Sequence, residues 1–142
     1  MEITRRTDYA TRIMLELARL PEGERVSART LGDLAEVSYP FARSIVTELA
    51  AAGLVDARRG PAGGVRLARR ARDISVYDIV IAIEGGVCLN VCVTEPGYCN
   101  RESGCEAHGL WNEASSLLAD YLASRDLESL LSESCHSEAA RP

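Results

Sequence analysis

"SYPFARSIVTELAAAGLVDARRGPAGGVRLARR", from Ser38 to Arg70, is the stretch whose reading sets the fold. Ser38 stands where an N-cap belongs, Pro40 falls in the first turn where its missing N–H costs nothing, and Gly53 can end the helix. Along that helix Phe41, Ile45 and Leu49 repeat on one face, leaving Tyr39, Ala42, Arg43, Ser44 and Thr47 nearer the other. An ordinary core helix with a solvated face shows the same pattern. The residues after Gly53 separate the two readings. "LVDARRGPAGGVRLARR" reads as strand, tip and returning strand, with Gly60, Gly63 and Gly64 giving the tip its backbone freedom and Arg58, Arg59, Arg66, Arg69 and Arg70 surrounding it with positive charge. A basic hairpin behind a helix is the pattern of a DNA-binding wing. A phosphate-cradling enzyme loop is a poor rival, because no GK[ST] comes after it and the spacing is not GxGxxG.

Towards the N-terminus, Ser27 can cap a short helix carrying Leu31, Leu34 and Ala35, and "VS" turns the chain into the helix above, which makes a helix-turn-helix. Before it, Tyr9, Ile13, Met14, Leu17 and Leu20 predict a helix over 8–20, broken by "LPEG". Towards the C-terminus, Val76, Ile79, Val80 and Ile83 predict a helix ended by Gly85 and Gly86. A long helix should then carry the apolar stripe Leu110, Trp111, Ala114, Leu117, Leu118, Tyr121 and Leu122. So small a chain has little to cover that stripe except a second copy, although an intramolecular core helix is the alternative. The expected class is mainly α with a small β-hairpin wing. Residues 1–72 form a winged helix-turn-helix, 73–132 a connecting helix, a cysteine loop near 87–108 and a dimerisation helix, and 133–142 a flexible tail.

The net charge of −5 hides a division. Through Arg72 the chain has 13 arginines and 9 acids; from Asp73 onward it has 3 arginines and 12 acids. The basic front half suits phosphate and the acidic rear half another task. Charges interrupt the apolar pattern of the opening residues, and no apolar run reaches the roughly 18 residues of a membrane span. A soluble, cytoplasmic protein with no membrane partner is expected.

In a reducing compartment, clustered cysteines point to metal or redox chemistry rather than disulfides. Cys88, Cys92, Cys99, Cys105 and His108 form a C-x3-C-x6-C-x5-C-x2-H array, while Cys135 lies apart in the polar C-terminal segment. Thiolates suit zinc or iron-sulfur clusters, and the irregular spacing lacks the paired short knuckles of zinc ribbons. A zinc-stabilised DNA-binding protein without cluster sensing is the alternative. A thiol redox enzyme would need a resolving pair, and no C-x-x-C motif is present, so no enzyme is expected.

With "TDYATRIMLELA", "AAGLV", "RRGPAGGVRLAR", "ISVYDIVIAIEG" and three cysteines before a long helix, the chain resembles the IscR/NsrR-type winged-helix regulators of the Rrf2 family over almost its whole length. The resemblance implies a homodimeric transcription regulator, a repressor on the commoner pattern, whose iron-sulfur cluster reports nitric oxide, redox or iron-sulfur status. It implies that Cys92, Cys99 and Cys105 hold the cluster. The first spacer is one residue longer than the common five, which leaves Cys88 as a substitute for Cys92. For the fourth ligand it offers Asp8 from the partner subunit, as in members with a 4Fe-4S cluster, or His108, as in members with a 2Fe-2S cluster. The intact "TDYA" opening favours Asp8 and 4Fe-4S. A local charge in the first helical turn at Asp8 and a capping role for His108 are the plainer alternatives.

Double-stranded DNA with a palindromic operator is the expected partner, with the third helix in the major groove and the wing on the backbone. Arg43, with Ser38, Tyr39 and Ser44, would read bases, and Arg58, Arg59 and Arg66 would hold phosphates. IscR-like proteins carry an acid at the position of Arg43, so the charge is reversed there.

Overall fold

The computed structural model describes residues 3–138, with side chains through Glu133. Helix α1 (Arg5–Arg19) starts at the N-cap Thr4, whose hydroxyl accepts from the Thr7 N–H. It therefore begins three residues before the 8–20 expected, because the cap is a polar residue that apolar periodicity does not register. Ala10, Ile13, Met14 and Leu17 of α1 are buried. Helix α2 (Ala28–Ala35) is capped as expected, Ser27 Oγ accepting from Thr30 N at 3.0 Å.

Between α2 and α3 (Tyr39–Ala51) the chain turns through Glu36 in a left-handed conformation (φ 56°). Gly32 permits the tight crossing: a Cβ there would stand 2.7 Å from the Val37 carbonyl oxygen and 3.2 Å from Ala42 Cβ. The buried face of α3 is Ala42, Ile45, Val46 and Leu49, while Phe41 is 52% exposed. This corrects the expected assignment, which had Phe41 inside and Ala42 outside. A small residue fits against Gly32, and the Phe41 ring lies outside, edge-on to Tyr9 at 6.2 Å. Ser38 occupies the N-cap position of α3, but its side chain makes no capping hydrogen bond.

The wing is the antiparallel pair β1 (Val55–Arg58) and β2 (Gly64–Leu67), in register from Val55↔Leu67 to Arg58↔Gly64. Val65 also bridges back to Val26, which fixes the hairpin to the segment leading into α2. Gly63 is a close-approach residue, since a Cβ would lie 2.3 Å from the Arg58 carbonyl oxygen.

Helix α4 (Val76–Glu84) begins with a capping box, in which Ser75 and Asp78 each accept the other's backbone N–H, and ends at Gly85 with φ 80°. After the loop and its short helix α5 (Val91–Thr94), α6 (Glu106–Ala123) carries the expected stripe. Leu110, Leu117 and Tyr121 are each more than half exposed, and Ala114, Leu118 and Leu122 are half-buried. The chain then reverses into α7 (Leu127–Glu138). Leu127 is fully buried in the core shared by α1 to α4, its N–H bonds the Ile74 carbonyl at 3.1 Å, and Ser75 bridges Asp126. The helix thus includes the first part of the segment expected as a flexible tail from 133; residues 139–142 of that segment lie outside the described residues. Among the described residues no helix is long and apolar enough to cross a membrane.

Candidate nucleic-acid interface and cysteine loop

On α3, Arg43 is exposed and has no ion-pair partner among the described residues. Ser38 and Tyr39, at the helix start, are exposed with it. Ser44 is also exposed, but its hydroxyl accepts from Arg6 Nη2 at 2.8 Å. Arg6 of α1 further pairs with Glu48 of α3, its Nε reaching Oε2 at 3.2 Å, so α1 is bolted to the expected recognition helix.

The wing arginines are not equivalent. Arg58 and Arg66 both lean on Asp56, at 3.4 and 3.2 Å, and Arg25 pairs with the same carboxylate. Burial pushes the Asp56 carboxyl up, but the hydrogen bond and charge of Arg25, joined by Arg58 and Arg66, prevail and hold it below the usual carboxylate range. Arg59 is exposed and has no ion-pair partner among the described residues. Asp56 and Arg25 thus organise the wing, although no sequence pattern singles them out. The same is true of Arg29, whose guanidinium lies 4.3 Å from the centroid of the Tyr39 ring.

In the cysteine loop, Cys92, Cys99 and Cys105 are half-buried free thiols. Burial raises the Cys92 thiol first, and the neighbouring Cys99 and Cys105 thiols and the Glu102 carboxylate raise it further. These three side chains therefore share one electrostatic neighbourhood. Cys88 faces elsewhere: its Sγ donates to the Asn90 carbonyl at 2.7 Å and lies 3.6 Å from Thr94 Oγ1. Cys105, not His108, is the N-cap of α6. His108 sits in the first turn with a backbone bond to Cys105, and its buried Nδ1 has no hydrogen-bond partner among the described residues. Asp8 lies on the exposed side of α1, paired with Arg12 at 2.8 Å. No group of three or more His, Cys, Asp or Glu side chains is drawn together tightly enough for a single metal ion among the described residues. The donor types are nonetheless of the right chemistry for iron: Cys92 with Cys99 and Cys105 as neighbours, and an imidazole in the first turn of the helix that Cys105 caps.

The loop is attached to the rest of the protein through Glu84, immediately before the glycines that open it. Its Oε1 accepts from Thr4 N at 3.1 Å, Thr4 Oγ1 at 2.7 Å and Thr7 Oγ1 at 2.5 Å. These bonds from Thr7 and Thr4 hold the Glu84 carboxyl below its ordinary pKa. Farther along, Ser115 Oγ accepts from Leu89 N at 3.2 Å and donates to the Trp111 carbonyl, tying the loop to the middle of α6. One turn of α1 therefore touches both the root of the cysteine loop, through Thr4 and Thr7, and the third helix, through Arg6.

A helix-turn-helix followed by a pinned basic hairpin defines a winged-helix DNA-binding protein. The model of the Rrf2 family, described as "Iron-dependent Transcriptional regulator", matches residues 3–133, and the chain belongs to that family of DNA-binding transcription regulators. The HTH-type transcriptional regulator IscR of Vibrio vulnificus is 30% identical over 94% of this chain and 79% of its own length. NsrR of Shouchella clausii is 32% identical over 86% of this chain and 80% of its own. Among solved structures, CymR of B. subtilis, described as the global cysteine regulator, superposes with a TM-score of 0.74 at 26% identity, covering 94% of this chain and 98% of that one.

Proposed function

We propose that the protein is a homodimeric transcription repressor whose operator affinity is set by an iron-sulfur cluster on Cys92, Cys99 and Cys105, and which thereby reports nitric oxide, redox or iron-sulfur status. The observation that carries this reading is that the Cys99 and Cys105 thiols neighbour Cys92, whose thiol burial and those neighbours raise, while the Cys88 Sγ is turned to the Asn90 carbonyl. A bound cluster supplies iron sites open to diatomic molecules and oxidants.

The chain's own residues supply the rest. Raised in pKa, the Cys92 thiol holds its proton in the free protein and gives it up to an incoming metal, so loading releases protons. The exposed apolar stripe of α6 is the dimer face, with Leu110, Leu117 and Tyr121 at its centre. Glu84 carries a displacement of the loop to Thr4 and Thr7, and Arg6 in the same turn of α1 carries it to Ser44 and Glu48 of α3. The spacing and tilt of two recognition helices on a palindromic operator change accordingly.

Asp8 of the partner subunit is the first reading for the fourth ligand, supported by its exposure at the start of α1, and a hard carboxylate there marks the weakest-held iron. His108 is the second reading, favoured by its orphaned Nδ1. The test is visible absorption and iron-to-sulfide analysis of anaerobically purified protein, beside Asp8→Ala and His108→Ala, with operator affinity measured before and after cluster removal. Cluster loss confined to one variant identifies the ligand. A colourless zinc protein, or equal affinity with and without cluster, overturns the proposal.

A further inference from the structure

Arg29 lies in the first turn of α2, where the helix dipole opposes a cation, and that turn contains no acid to offset it. It is exposed and has no ion-pair partner among the described residues. Its guanidinium packs instead against the ring of Tyr39, the first residue of α3, 4.3 Å from the centroid. A guanidinium held over an aromatic face by its π-electrons spends no N–H donor on a carboxylate and keeps its fork for a phosphate. It also orders the side chain in advance, so less rotamer freedom is lost on binding. Arg6, Arg25, Arg58 and Arg66, by contrast, each have a carboxylate partner already.

The placement identifies the ligand's class. In helix-turn-helix proteins the helix before the recognition helix crosses the DNA backbone. Arg29 is on that helix, and its aromatic support is the N-terminal residue of the recognition helix.

We infer that Arg29, held by Tyr39, is a backbone-phosphate clamp that fixes the register of α3 in the major groove. The inference rests on the DNA-binding reading of α3 and extends it to α2 and to a pair that the sequence pattern did not single out.

The experiment uses the full-length protein and two duplexes: one selected by wild type from a random-sequence pool, and the same duplex with its half-site bases substituted. Affinity is measured from 0.05 to about 0.3 M salt for wild type, Arg29→Ala, Tyr39→Phe, Tyr39→Leu and Arg29→Ala/Tyr39→Leu. Loss of one phosphate contact lowers the slope of log K against log salt by about 1 and weakens binding about eightfold at roughly 0.1 M salt. Arg29→Ala should show this on both duplexes with a thermal midpoint equal to or above wild type. Tyr39→Phe, which keeps the ring, should keep the wild-type salt slope on both duplexes, Tyr39→Leu should lose part of that slope, and the double variant should have the slope of Arg29→Ala. An unchanged slope and affinity in Arg29→Ala would overturn the clamp while leaving the regulator reading intact. A loss confined to the selected duplex would make Arg29 a base reader and overturn the phosphate assignment. Failure of the wild type to bind either duplex would refute the DNA-binding reading, and the clamp with it.

Discussion

Glu84→Ala should destabilise the fold by about 2 kcal/mol and weaken operator binding, although residue 84 is far from the DNA-binding face in sequence. A single carboxylate oxygen takes all three hydrogen bonds from Thr4 and Thr7. Thr4 can turn to water when the carboxylate is removed. Thr7 is only 2% exposed, and its hydroxyl would retain nothing but the 3.4 Å contact with Thr4 Oγ1. A buried hydroxyl left poorly paired costs about 1–3 kcal/mol. Glu84→Gln keeps an acceptor but loses the charge, and should cost about 1 kcal/mol, the difference between charged and neutral hydrogen bonds. The lowered pKa fixes the sign of the pH dependence. The folded state prefers the ionised carboxylate, so its contribution is complete above the unfolded value, about 4.3, and is lost as pH falls through the lower folded value. Urea unfolding of cluster-free protein, at one protomer concentration, should therefore show a gap between wild type and Glu84→Gln at pH 6 that closes in the acid range below about pH 4.3. Equal stability of Glu84→Ala and wild type at pH 6, or a gap undiminished at pH 3, would refute the role given to this carboxylate.

Gly32→Ala should lower stability by about 1–3 kcal/mol, seen as a reduced thermal midpoint, because the added methyl meets the Val37 carbonyl oxygen at 2.7 Å in a well-packed turn. Asp56→Asn should raise affinity for non-specific duplex and steepen its salt dependence by about one unit in fluorescence anisotropy, because Arg58 and Arg66 are released from a shared carboxylate. Cys92→Ser should abolish iron and sulfide incorporation in anaerobic reconstitution while Cys88→Ser retains both, since Cys92 neighbours the other two thiols and the Cys88 Sγ is turned to the Asn90 carbonyl; the reverse result would move the first ligand to Cys88.

Much of this architecture is written locally, and those parts are legible in sequence. Ser27 caps its own helix, Gly85 ends α4, and Gly63 closes the wing, each through contacts within a few residues. The face of α3 was not legible in the same way. Phe41, Ala42, Ile45, Val46 and Leu49 offer two apolar registers, and the choice is made by Gly32 on another helix, which admits a methyl and excludes a ring. The cysteine array and the exposed Arg43 of α3 were visible as candidates in residue type and spacing, and the choice of three thiols came from the family resemblance. The groups joining them were not visible: Arg6 meets Glu48 across 42 positions and Thr4 meets Glu84 across 80, and nothing in either local sequence marks the partner. Helix α7 escaped notice because its stretch is polar and its fully buried anchor, Leu127, stands at the very start.

Leu127 has a mechanical consequence. With that side chain in the core and its N–H on Ile74, the C-terminal end of α6 is hinged against the winged domain, while the other end carries Cys105 and meets the cysteine loop. Eighteen residues make this helix a rod about 27 Å long. A swing of about 10° about the hinge would carry the cysteine end through about 5 Å and hardly move the other. In the proposed regulator the rod would act as a lever with its fulcrum beside the winged domain: a rearrangement of the loop would be largest at the cysteine arm, where the exposed apolar stripe would meet a second copy.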